Sequence, residues 1–251
     1  LVQVPPVGLQ GPSIGDPLWQ QVADGSETEA IQAFRLVDQR LGGSQLYALV
    51  MHYLSSRVGP ALLSEAGNPS TFIAAAGLTE MAGWMAHDTG RDQVAAKHFR
   101  SALNLARAGE AGLLIAQIWA SRSHLSLHRG DIDSALVAAE QAWRHLDGSE
   151  DTAVRGRILA MLIRSHAAHG NVSACLSTLN QAEQLLSKPV APPDSGWTSP
   201  FDLGALTSEV ARSMCDLRDY TAAAEFARRT IRLRSPERMR ARALASLTLS
   251  R

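Results

Sequence analysis

Cysteine is scarce in this sequence. Only Cys175 and Cys215 occur, without the spacing of a metal-ligand set. Both read as small core residues of a protein in a reducing compartment, so a cytoplasmic chain is expected. Aromatic residues make up 5% of the 251, while 45% are hydrophobic and alanine and leucine dominate, which disfavours a sheet protein and suits close helix packing. Neither charge sign is in excess, with 24 basic and 24 acidic residues, which removes any global attraction to nucleic acid or membrane. No apolar run reaches membrane-spanning length and no signal peptide is visible. There is no Gly-x-Gly-x-x-Gly, P-loop or Gly-x-Ser-x-Gly, and no carboxylate pair in apolar text. No enzyme and no cofactor are therefore expected.

What is present is a recurrence. Gly90, Gly130 and Gly170 stand 40 residues apart, and each is followed by the same kind of helical text. Ala95 and Ala102, Ala135 and Ala142, and Cys175 and Ala182 each lie two turns apart on one helix face, where small side chains admit a close neighbour. The glycine ends the preceding helix at low steric cost. Self-similarity at this period predicts an all-α, right-handed solenoid of antiparallel helix pairs.

Residues 1–25 hold Pro5, Pro6, Pro12 and Pro17 without periodicity and read as a linker or arm. The helical repeat domain is expected over 26–251, in pairs at about 26–65, 69–108, 110–147, 150–187 and 203–234, with a final helix at 236–251. Ser26 with Glu29 is a capping box, Gly42-Gly43 stops the first helix, and Gly59-Pro60 breaks the second or opens a short extra turn. Asn68-Pro69 starts the next. The final helix has no partner in the sequence, which leaves self-association as a homodimer open. The chain begins without Met and reads as a fragment.

Gly130-Asp131 with Ala135 and Ala142, and Trp119 upstream, are similar to the tetratricopeptide repeat, with Gly83 and Ser123 at its small helix-crossing position. Further blocks are Phe34-Arg35-Leu36-Val37-Asp38, Leu78 through Gly90, His98-Phe99, Ser121 with Ser123-His124, and Trp197 with Phe201-Asp202. On these, the chain from Ile31 onward resembles the C-terminal tetratricopeptide region of actinobacterial helix-turn-helix transcriptional regulators. The resemblance implies the sensing or partner-binding half of a transcription regulator. DNA contact would come only through a helix-turn-helix domain, for which this chain has no text before Ser26.

In such arrays the first helix of each pair lines a concave groove. The candidates are Glu80, Trp84 and His87; Gln117, His124 and His128; Arg157 and Arg164; then Ser208 and Arg212. Each set repeats at three, four or seven residues along one helix face. A groove aromatic at one end and cationic at the other suits a peptide, protein segment or acidic small-molecule effector. The alternative is a constitutive scaffold for a partner protein. Plainer readings stand beside these: solvated arginines, and Trp84 as core. His124 and His128 lack a third ligand, so no metal is expected. Trp197 and Phe201 are either a lid over the groove or an anchor for their loop. Arg122 departs from the repeat and would lay its stem over Trp119. Arg228, Arg229, Arg232, Arg234, Arg238, Arg240 and Arg242 form a basic corner, either solvated or facing phosphate.

Overall fold

The computed structural model describes residues 29–35, 43–64, 68–146, 148, 151–187, 200–235 and 239–249. The proline-rich arm, the proposed stop at Gly42 and the loop carrying Trp197 lie outside them. No strand occurs among the described residues, and no helix there is long and apolar enough to cross a membrane.

In chain order the helices are α1 (29–35), α2 (Gly43–Tyr53), a π-helical turn (Leu54–Val58), α3 (Gly59–Ser64), α4 (Pro69–Asp88) and α5 (Asp92–Ala108). Then come α6 (Gly112–His128), α7 (Ile132–Arg144), α8 (Thr152–Ala168), α9 (Val172–Leu186), α10 (Leu203–Asp216), α11 (Tyr220–Leu233) and α12 (Met239–Leu249). From α4 to α11 they pack in adjacent pairs, α4 with α5 through α10 with α11. Each first helix also touches the first helix of the next pair, and α10 touches α12.

One turn chemistry builds these pairs. At Gly130, φ is +73°, the glycine N–H donates to Leu127 O, and the Asp131 N–H donates to Ser126 O. This is a Schellman closure, which satisfies the last carbonyls of α6. Asp131 then serves a second helix, its Oδ1 accepting the Ser134 N–H at 3.2 Å to cap α7. Gly170 with Asn171 repeats both halves, and Arg218 with Asp219 does so without glycine, Arg218 standing at φ +62°.

Packing then follows a fixed count from the turn. Ala95, Ala135, Cys175 and Ala223 sit five residues after it, and Phe99, Ala139, Leu179 and Ala227 nine after it, all buried. These stripes give the second helices one buried face. The first helices α4, α6 and α8 are buried nearly all round, because neighbours cover them on several sides. Gly83 of α4 lies against the Phe99 ring, where an added Cβ would come within 2.5 Å of a ring carbon.

One alternative is decided and one expectation corrected. Gly59-Pro60 does not break the helix but opens the short α3 turn: Gly59 keeps helical angles and donates its N–H to Leu54 O, five residues back. That wider turn accommodates a proline, which cannot donate and crowds the carbonyl four residues behind it. The final helix is not partnerless, since α12 packs on α11 and α10 and buries Ala245. Leu244, Leu247 and Leu249 remain exposed on it.

Candidate binding groove

Four first helices supply the groups. Glu80, Trp84 and His87 follow one another along α4 at helical spacing, as Gln117, Ser121, His124 and His128 do along α6. At their crossing the Trp84 indole N–H donates to Ser121 Oγ at 3.1 Å, and Ser121 Oγ donates to Glu80 Oε1 at 2.6 Å. Gln117 Nε2 donates to Glu80 Oε2 at 3.4 Å, which leaves Gln117 Oε1 buried without a partner. Glu80 and Gln117 are only 1% and 2% exposed. They therefore hold α4 to α6 from beneath rather than facing a ligand, which corrects the expectation for both.

Trp84 is half-buried in a cluster of rings. Its centroid lies 4.9 Å from that of His124 and 5.8 Å from those of His87 and Phe99. His87 in turn meets His124 at 5.5 Å and His128 at 4.7 Å. Burial pushes the His124 imidazole down to about 4; Glu209 opposes this, while Arg164, His87 and Arg212 add to it. His124 is therefore neutral at pH 7, and it senses charges on both α8 and α10.

The expected cationic end also holds an acid. Glu209 of α10 stands between two of its arginines, with Oε2 2.9 Å from Arg164 Nη1 and Oε1 3.4 Å from Arg212 Nη1. Burial alone would raise the Glu209 carboxyl; Arg212 and Arg164 outweigh it and hold it at about 2. The two guanidiniums thus share an internal carboxylate. Arg157 is likewise enclosed: burial lowers its guanidinium from the usual arginine range, and Glu80, Glu209 and Asp151 act in the opposite direction.

Phe201 is 6% exposed and packs against Gly156 and Leu186, with the Arg157 guanidinium 5.4 Å from its ring centroid. It anchors the start of the last pair and is no lid. Trp197 lies outside the described residues. Ser208 is partly exposed beside Glu209.

Away from these residues, the Arg122 guanidinium sits 4.3 Å over the Trp119 ring, and burial with the nearby Arg107 and Arg100 lowers its pKa. The basic corner is partly consumed by structure. Arg229 pairs with Glu183 at 2.7 Å and Arg234 with Asp202 at 3.0 Å, while Arg242 Nη1 donates to Ile231 O and Arg234 O.

Sequence reasoning missed Glu209, Ser121 and Asp92. Glu209 had one local signal, its i,i+3 spacing from Arg212. Asp92 had its place five residues after His87 across the Gly90 turn, where it meets His87 Nδ1 at 2.8 Å. No family model matches the chain, and no curated protein matches its sequence.

Proposed function

We propose that this chain is the ligand-sensing or protein-interaction module of a bacterial transcriptional regulator, a tetratricopeptide-like right-handed solenoid that receives its effector along the first helices. The reading rests on one observation: from four successive first helices, Trp84 meets His124 ring to ring while Arg164 and Arg212 share Glu209, whose charge reaches His124. An effector with an apolar group and a carboxylate suits it, the apolar part against Trp84 and the carboxylate toward Arg212, which is the more exposed arginine of the pair on Glu209. Such a ligand competes with Glu209 for the guanidiniums, which gives binding a route to change how α8 sits against α10.

Native mass spectrometry of untagged protein from its own host tests this. A retained peptide or acidic small molecule, lost in Arg212→Ala while the helical content is kept, supports the effector reading. Protein that carries nothing, or a ligand indifferent to Arg212→Ala, rejects it and leaves the constitutive scaffold as the alternative.

A further inference from the structure

Three side chains from three successive helices meet where α4 and α6 end and α5 begins. His87 lies in the last turn of α4, Asp92 opens α5 and His128 ends α6. The Gly90 turn brings His87 Nδ1 to 2.8 Å from Asp92 Oδ1. The other carboxylate oxygen faces His128 Nε2 at 3.7 Å, too far for a hydrogen bond. One donor atom from each residue lies within 4.8 Å of the other two. We propose that His87, Asp92 and His128 form a binding site for a divalent transition-metal ion of the zinc class.

The donor set selects the ion. Two imidazoles and a carboxylate suit Zn²⁺ and its transition-metal neighbours, whereas Ca²⁺ and Mg²⁺ take oxygen ligands. Metal bonds of about 2.0–2.1 Å at tetrahedral angles place neighbouring donors about 3.3 Å apart. The Asp92 carboxylate stands 2.8 Å from His87 through one oxygen and 3.7 Å from His128 through the other, on either side of that value, so a small turn of its carboxylate serves both. His128 must close in furthest, and its side chain is 59% exposed at a helix end, with room to turn. A hydrogen-bonded His87–Asp92 pair needs no third member, yet His128 is aimed at the second oxygen across an unbonded gap. Three protein ligands leave a fourth position open to water or a donor atom of a bound molecule. The ion would tie the α4–α5 pair to α6, and the inference does not depend on what occupies the groove.

Zn²⁺ titrated calorimetrically into the full, untagged chain tests the site, with His128→Ala, Asp92→Asn and a control, His52→Ala, at an exposed position on α2. Far-UV circular dichroism verifies that each variant folds. The expected result is one equivalent bound by the wild type and by His52→Ala, and binding at least about tenfold weaker in His128→Ala and Asp92→Asn. No one-to-one binding, unchanged affinity in His128→Ala or Asp92→Asn, or an equal loss in His52→Ala overturns it.

Discussion

Arg218 holds its backbone in the left-handed region that Gly90, Gly130 and Gly170 occupy at the equivalent turns. A residue with a Cβ is strained there by about 1–2 kcal/mol, while glycine gives back part of that gain as unfolded-state entropy. Arg218→Gly should therefore raise stability by roughly 0.5–1 kcal/mol, and Gly170→Ala should lower it by a similar amount, both read by thermal denaturation. His124 supplies a pH test. Its folded pKa of about 4 lies below the ordinary 6.5, so the unfolded chain binds its proton first. Stability from this group is complete above about pH 6.5 and is lost as pH falls toward 4. In His124→Gln the fall of melting temperature across that window should flatten. The glycines were legible in the sequence because a positive φ demands a particular residue. Glu209 was legible only in part: Arg212 stands three residues on, but its other partner, Arg164, lies 45 residues away and pairing across helices leaves no local spacing.

Asp202 joins two helix ends. Its Oδ1 accepts the Ala205 N–H at 2.8 Å to cap α10, and its Oδ2 takes Arg234 Nη1 from the end of α11 at 3.0 Å. Arg234 is largely buried and passes over Gly204. Asp131 makes only an exposed cap. Asp202→Ala is therefore expected to cost about 2–4 kcal/mol in urea denaturation, against about 1 kcal/mol for Asp131→Ala. The helix start at Asn68-Pro69 was readable, since its cap and its proline stand together in the local text. The π-helical turn before Pro60 was not readable, because the wider turn lets the helix pass a proline that sequence rules treat as a stop.

Among the described residues from α4 on, each helix touches the next and each first helix also touches the first helix of the next pair, and Glu209 sits where charged groups of α8 and α10 meet. Removing it strips two partly buried guanidiniums of their partner. Glu209→Ala is expected to cost roughly 2–3 kcal/mol, below the value for a fully buried pair because Arg212 reaches solvent. Its folded pKa of about 2 is depressed, so the stability it contributes is complete above about pH 4.5 and lost as pH falls toward 2. Acid titration of the wild type should show that loss, and Glu209→Gln should lack it. The all-helical architecture was legible because its period lies in small residues at fixed counts. The candidate site's chemistry was only half legible: face periodicity grouped Trp84, His124, Arg164 and Arg212, but it could not tell which polar groups the packing would enclose. The economy of the Gly130 and Gly170 turns also constrains how such a chain can change length. Asp131 and Asn171 each close one helix and begin the next, so no slack separates them. One inserted residue would swing the following helix by about 100° and carry its alanine stripe off its neighbour. Every later pair would inherit the error, so length changes at these junctions act at a distance.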